Sequence, residues 1–404
     1  MRSKSVGPAL AVLFLVNVLN YYDRQTLAAI LEPLRHEFSL SDAQLGGLFT
    51  LFTVVFALAG LPLGKLADTR SRRGLLAAGI AVWTGLTGMA GLATSYALLL
   101  GTRLGVGIGE AVCTPAAASW IGDLVPASRR ARSMAGFMMA VPVGIMLSSA
   151  ISGPVAQAHG WRMALAVAAI PGLVLVPAVL WLREPGRPRP EVGGDGVLAL
   201  PAVFWWIAAS GAVVNFALYS FSTFLPAFLT RYHGMSVAQA GIWTGIGSGV
   251  SGILGAVAAG LLGDRVKNRL YLAAGASLAA AGPVYGALGM PSGSAAGAVC
   301  LAMTGYGLLQ MYYGLVYAAI QDVVAPAMRG RAMAVYFLVT YLGGASWGPL
   351  LTGRLSDFLA RRSGLGAEAS RAVGLHDAMY VIPALAVVLA VVLWLAGRRQ
   401  VRVV

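Results

Sequence analysis

Asp123-Leu124-Val125-Pro126-Ala127-Ser128-Arg129-Arg130-Ala131-Arg132-Ser133-Met134 recurs later in the same chain as Asp322-Val323-Val324-Ala325-Pro326-Ala327-Met328-Arg329-Gly330-Arg331-Ala332-Met333. The offset is 199 at the aspartate, at two arginines and at the methionine. A second pair of stretches recurs at an offset of 196. Gly64-Lys65-Leu66-Ala67-Asp68, continued by Arg70, Arg72 and Arg73, recurs as Gly260-Leu261-Leu262-Gly263-Asp264-Arg265, continued by Lys267 and Arg269. The chain is therefore read as two parallel halves with equivalent basic loops.

What lies between these loops is apolar. Of the 404 residues, 58% are hydrophobic and 11% charged, with a mean hydropathy of +0.76. Soluble domains carry about 25% charged residues, so the composition is that of an integral membrane protein. A spanning helix needs roughly 20 mostly apolar residues. Twelve segments meet that length, at about 8–31, 44–66, 74–94, 97–122, 131–156, 163–182, 200–229, 236–262, 270–289, 295–321, 331–356 and 377–397. The first has no small-residue cleavage site and leads into further spans, so it reads as a span and not as a signal peptide. Parallel six-helix repeats of this kind make a two-lobed transporter with its site between the lobes, near the midplane.

The net charge of +14 is a matter of topology. Twenty of the 29 Lys and Arg fall in alternate gaps that include both termini, six fall in the other gaps, and Arg24, Arg103 and Arg354 lie inside spans. Basic residues gather on the cytoplasmic side. Both termini are therefore expected in the cytoplasm of a cell (inner or plasma) membrane, and no nucleic acid partner is implied. Residues 183–198, rich in Pro, Gly and Arg, read as a linker. They divide an N-terminal bundle, 1–182, from a C-terminal bundle, 199–404.

The first span holds Asn17-Val18-Leu19-Asn20-Tyr21-Tyr22-Asp23-Arg24-Gln25-Thr26. A charge at membrane depth costs roughly 2.5–3.5 kcal/mol even on a lenient scale, and such residues usually line a cavity or a pathway. A purely structural ion pair is the plainer reading, but a dry pair is often replaceable by apolar packing. Arg103 and Glu110 are two turns apart on one face of span four, with Gly107 leaving a notch between them. Unpaired, these four charges would together cost roughly 10–14 kcal/mol. They are expected to pair, with Asp23 and Arg24 at about the depth of Arg103 and Glu110 deeper. Arginine stays charged while a buried carboxylate can take up a proton, so Asp23 and Glu110, beside Arg24 and Arg103, are the candidate proton-coupling set. Asn20, Arg24, Arg103 and Glu110 are the candidate substrate residues of this half.

Gly64-x-Leu66-Ala67-Asp68-x-Arg70-x-Arg72-Arg73, lying between spans two and three and weakly repeated at Gly260–Arg269, resembles the loop signature of the major facilitator superfamily. Asn20-Tyr21-Tyr22-Asp23-Arg24, with Arg103-Leu104-Gly105-Val106-Gly107-Ile108-Gly109-Glu110-Ala111, Pro142-Val143-Gly144 and Gly160-Trp161-Arg162, resembles the spinster-like branch. The organic anion:proton symporters share part of the pattern. The resemblance implies twelve transmembrane helices in two pseudo-symmetric bundles and a proton-coupled transporter. Its substrate would be an amphiphilic anion or zwitterion such as a lysophospholipid or sphingosine phosphate. A small sugar acid or multidrug efflux is the alternative.

In the second half the candidates for lining a substrate cavity are Phe216, Tyr219 and Phe224, with Gln310, Tyr313 and Tyr317. Gating is assigned to the loops. Gly64 is expected to allow close helix contact. Asp68 should meet the N-terminus of span eleven near Arg329, and Asp264, by symmetry, the start of span five. Arg72 or Arg73 should pair with Asp123, and Asp322 is its counterpart. Arg354 is expected to snorkel to the cytoplasmic surface, towards Asp357.

No P-loop is present, which argues against an ATP-driven pump. Cys113 and Cys300 lie in apolar segments and the four histidines are scattered, so neither an enzyme's nucleophile–base set nor a metal site is suggested. The partners expected are an amphiphilic small molecule, protons and the lipid bilayer. A monomer is expected, with no cofactor.

Overall fold

The computed structural model describes residues 6–185, 200–325 and 328–401, save for the side chains of Asp68, Ala127, Ser128, Ala131 and Val401. These residues form helices only, with no strand among them. Two compact units result. Unit 1 comprises 1–39, 51–195 and 237–245, and unit 2 comprises 40–50, 196–236 and 246–404.

Unit 1 contains α1 (Val6–Ala29), α2 (Leu31–Phe38), most of α3 (Asp42–Thr69), α4 (Arg72–Ala90), α5 (Tyr96–Ala111), α6 (Cys113–Leu124), α7 (Ala127–Met138), α8 (Ala140–His159) and α9 (Trp161–Trp181). Here α1 packs on α8, and α4 on α5 and α9. Leu13, Ile80, Trp83, Val106, Trp120 and Ile121, all fully buried, form its core. Unit 2 holds α10 (Ala202–Arg231), most of α11 (Val237–Gly263), α12 (Arg269–Leu288), α13 (Ala295–Val323), α14 (Arg329–Thr340), α15 (Gly348–Arg362), α16 (Ala367–Met379) and α17 (Val381–Val401). There α12 packs on α13 and α17, and α10 on α17.

Eleven of these helical stretches are long and apolar enough to cross a membrane. The remaining predicted span is α4, whose 19 residues include Arg72, Arg73 and four glycines.

The seventeen helices outnumber the predicted spans because several spans are broken, and one cause recurs. Proline has no N–H to donate and its ring crowds the carbonyl four residues back. Pro33, Pro115, Pro142 and Pro383 stand four residues after Ala29, Ala111, Met138 and Met379, where α1, α5, α7 and α16 end. Pro349 stands four after Ala345, where a π-helical turn, Tyr341–Ala345, interrupts the run from α14 to α15. The break after α5 matters most, because it leaves Glu110 on the last turn of that helix.

Close approaches fall on glycines inside each unit. A Cβ on Gly107 would run into the backbone of Phe52 and Phe56 on α3, and one on Gly144 into Val18 and Tyr21 on α1. The expectation for Gly64 is corrected. A Cβ there would meet no described atom within 4 Å, so Gly64 makes no tight helix contact. The close contact of α3 within unit 1 is made at Gly107 instead.

The expected partner of Arg354, Asp357, is corrected. Arg354 is exposed, and Asp357 is engaged elsewhere. The Asp357 carboxylate accepts the backbone N–H of Asp42 and Ala43, each at 2.9 Å, and so caps the first turn of α3. An acceptor there satisfies N–H groups that have no partner within the helix. Asp42 itself is 3% exposed, lies 2.8 Å from Arg231 and accepts the Ser356 hydroxyl at 2.6 Å. All these groups belong to unit 2.

Candidate functional site

The first-span residues lie on α1 with two different environments. Asn17, Asn20 and Asp23 are buried, while Tyr21 and Arg24 are partly exposed. Helical spacing sets this: Asn20 and Asp23 lie three apart on the face packed into unit 1, and Tyr21 and Arg24 are three apart on the next face. Asn17 Nδ2 donates to the Phe137 carbonyl at 3.1 Å, holding α1 to α7.

Arg24 and Glu110 form the ion pair of the site. Arg24 Nε donates to Glu110 Oε2 at 2.7 Å, with the side chains 10% and 0% exposed. Three rings surround the guanidinium. Its central carbon lies 4.1 Å from the Phe56 centroid, 4.9 Å from Tyr21 and 5.4 Å from Phe52. A cation over an aromatic face is attracted by the ring quadrupole, so these rings hold Arg24 together with the Glu110 carboxylate.

Asp23 is bound differently. Its Oδ2 accepts the Thr87 hydroxyl of α4 at 2.9 Å. Arg103, 3% exposed, is acted on electrostatically by both Asp23 and Glu110, while its Nε and Nη2 make no hydrogen bond to a described residue. The four charges therefore form one electrostatically coupled cluster, in which Asp23, Arg103 and Glu110 are buried and Arg24 is partly exposed. The long side chain of Arg24 reaches from α1 to Glu110 on α5. Thr87, Phe52 and Phe56 were not anticipated. Thr87 gives no signal in an apolar span, whereas the Phe52–Phe56 spacing of one helical turn marks a shared face.

Around this cluster a polar seam joins α1 to α8. Thr26 and Ser148 share a hydrogen bond at 3.0 Å, and the Ser152 hydroxyl lies 3.4 Å from both Tyr22 and Thr26. Gly160-Trp161-Arg162 also acquires a role. Glu37 on α2 accepts Arg162 Nη2 at 2.6 Å, and the Arg162 guanidinium lies 4.3 Å from the Trp161 ring. The Arg162 and Trp161 hydrogen bonds hold the Glu37 carboxyl below its usual value.

The loop motif places Arg72, not Arg73, on Asp123. The fully buried Arg72 side chain bridges Asp123 and Glu184, the latter at 3.0 Å. Glu184 falls in the stretch expected to be linker, yet it caps α4. It accepts the Arg72 N–H at 3.0 Å, the Arg73 N–H at 3.2 Å and the Ser71 hydroxyl at 2.8 Å. Burial alone would raise the Glu184 carboxyl; these donors and the Arg72 guanidinium outweigh it and bring it down to about 2. In unit 2 the equivalent pair is Arg269 with Asp322 at 2.6 Å. Asp264 lies exposed in the turn after α11, and the side chain of Asp68 lies outside the described residues. Of the linker predicted at 183–198, only residues 183–185 are described.

Unit 2 carries the aromatic candidates. Tyr313 donates to Asn215 Oδ1 at 3.1 Å, and Gln310 Nε2 to the Tyr306 hydroxyl at 2.6 Å. Tyr219 meets Tyr341 edge-on at 6.2 Å, and Tyr317 lies 5.8 Å from Tyr313, Tyr336 and Phe337. Phe216, Tyr219, Gln310, Tyr313 and Tyr317 are partly exposed. Phe224 is corrected: it is 0% exposed and packs in the core of unit 2, so it lines no cavity.

Comparison with known proteins gives the family and the fold. Residues 13–349 match the family model of the Major Facilitator Superfamily. The chain is 31% identical over 411 residues to an MFS-type efflux pump of Mycolicibacterium smegmatis, covering 98% of this chain and 93% of that protein. It is 27% identical over 391 residues to a sphingosine-1-phosphate transporter of Danio rerio, covering 89% of this chain and 78% of the relative. A crystal structure of a bacterial homolog of the human lysosomal transporter spinster, inward-facing and unoccupied, superposes with a TM-score of 0.89. It has 26% identity, and 98% of both chains is covered. The chain is thus a multi-pass membrane transporter, not an enzyme, and it belongs to the Major Facilitator Superfamily in its spinster-like branch.

Proposed function

We propose that the protein is a proton-coupled secondary transporter that moves an amphiphilic anion or zwitterion, a lysophospholipid or sphingosine phosphate, by alternating access. The observation that carries this reading is the cluster of Asp23, Arg24, Arg103 and Glu110 in unit 1. Arg24 is held there by the Glu110 carboxylate at 2.7 Å and by aromatic faces. A proton arriving on Glu110 removes the charge that holds Arg24 and frees its donors for another anion. Guanidinium groups pair with phosphate or carboxylate through parallel N–H donors, so Arg24 and Arg103 are the candidates for the head of the substrate. Asn20, fully buried about one turn before Arg24 on α1, is a further candidate. For an apolar tail the candidates are Phe216, Tyr219, Tyr313 and Tyr317, with Gln310 as a polar partner. The name of the Danio rerio relative supports a phosphorylated single-chain lipid.

In proteoliposomes, a lysophospholipid or sphingosine phosphate should move saturably, and Arg24→Ala should reduce that movement. Robust movement of a sugar acid, with none of either lipid under the same gradient, would overturn the substrate class.

A second reading, efflux of diverse amphiphiles, is favoured by the Mycolicibacterium smegmatis relative, which covers nearly the whole chain. Export with no preference for an anionic head would decide for it.

A further inference from the structure

Where α12 and α17 pack in unit 2, their outer faces leave a groove of about 510 Å³ with an almost wholly apolar lining. Its walls follow helical spacing. Tyr271, Gly275 and Leu278 come from α12, and Val387, Val391 and Trp394 from α17, each set at i, i+4 and i+7. Gly275 lies in its floor; a Cβ there would meet no described atom within 4 Å. The volume lies within the range of small-molecule sites, about 300–1,000 Å³.

One end of the groove is basic. Arg398 follows Trp394 by one turn, and its guanidinium carbon lies 3.9 Å from the Trp394 ring. Asn268 Nδ2 donates to the Gly397 carbonyl at 3.3 Å, which ties the start of α12, with Lys267, to this end of α17. Lys267, Arg398 and Arg399 are exposed. Arg269 is already taken by Asp322, and the acidic residue of the neighbouring turn, Asp264, is followed in sequence by the exposed Arg265. Tryptophan with arginine at the end of an apolar wall is the composition of a headgroup-level anchor. A guanidinium stacked on a ring is also pre-organised and weakly hydrated.

We propose that this groove holds one acyl chain of an anionic bilayer phospholipid, with its phosphate at Arg398 and Lys267. The site is separate from the charged cluster of unit 1 and does not depend on what the protein transports. Lipid is favoured over a second copy of the chain because the rim is basic, and a copy would bring a like-charged rim against it. An anionic head is favoured over a zwitterionic one because an ammonium beside Arg398 would be repelled.

Native mass spectrometry of the full chain, released from detergent with equal phosphatidylglycerol and phosphatidylcholine, tests this. The wild type should retain one phosphatidylglycerol per chain in clear preference to phosphatidylcholine. A basic residue near the surface is worth about 1 kcal/mol, so Arg398→Ala should cut that preference about fivefold. Arg398→Lys should keep most of it. Gly275→Leu, which fills the floor where space is open, should lose retention of either lipid, with its lipid-free melting temperature unchanged. Equal retention of both headgroups by the wild type would overturn the proposal. Undiminished retention by Gly275→Leu would do the same, and so would a lipid-free dimer abolished by that substitution.

Discussion

Replacing Glu110 by alanine removes the carboxylate 2.7 Å from Arg24 and leaves the guanidinium in a place that is 10% exposed. Breaking a buried pair by deleting one partner typically costs about 3–5 kcal/mol. Arg24 keeps its rings at 4.1 and 4.9 Å, and cation–π contacts contribute about 0.5–2 kcal/mol each in both forms. Because that support is retained, the expected cost is near the lower bound, about 3 kcal/mol. Arg24→Ala should cost a similar amount, but the double variant much less than the sum, since neither charge is then left behind. The coupling energy of the cycle separates an ion pair from ordinary polar packing. Neutral hydrogen bonds between membrane helices average about 0.6 kcal/mol and reach about 1.7. The Arg24–Glu110 coupling should exceed that ceiling. Reversible unfolding in mixed micelles, applied to the wild type, both single variants and the double variant, measures it. Coupling below about 0.5 kcal/mol, the level of independent sites, would refute the assignment of this pair as the electrostatic centre of unit 1.

Glu184→Gln should destabilise unit 1 at neutral pH by about 3 kcal/mol, the equivalent of lowering a carboxyl from 4.5 to about 2. The folded value is depressed, so this contribution is complete above about pH 5. It is lost as the pH falls towards 2, and melting curves of wild type and variant should converge across that window. Gly107→Val should lower the melting temperature and the yield of folded protein, because the new side chain meets the α3 backbone; overpacking of this kind costs about 1–3 kcal/mol. A reporter fused after Val404 should be active only in the cytoplasm, as the basic asymmetry requires, and activity on the outer side would invert the topology.

Much of this architecture is legible in the sequence, because apolar length and basic loops obey local rules. The loop motif points to Arg72 or Arg73 as the partner of Asp123, and the 199-residue repeat marks Asp322 as its counterpart, which meets Arg269. The buried charges of α1 and α5 stand out because each is expensive in an apolar segment. Helix breaks were also written there, since each proline disturbs a carbonyl at a fixed distance, although the spans were read as continuous. What stayed hidden depends on which helices meet. Asp357 caps α3 from 315 residues away, and nothing local connects Asp42 to Arg231. Glu184 looked like linker because it sits among prolines and arginines, yet a carboxylate just past a helix end is well placed to cap the start of another. Gly64 misled in the opposite sense: a motif glycine suggested a tight contact, but its surroundings are open.

In the proposed mechanism a proton bound at the Asp23–Glu110 cluster drives transport. The most direct measurement compares gradient-driven uptake with substrate exchange in proteoliposomes holding wild type, Asp23→Asn or Glu110→Gln. Glutamine keeps an acceptor oxygen for Arg24 but cannot take up and release the proton. Uptake driven by a pH gradient should be lost in at least one of the two variants, while exchange without a gradient persists. Full gradient-driven uptake in both variants would contradict the claim and reduce the cluster to structural pairing.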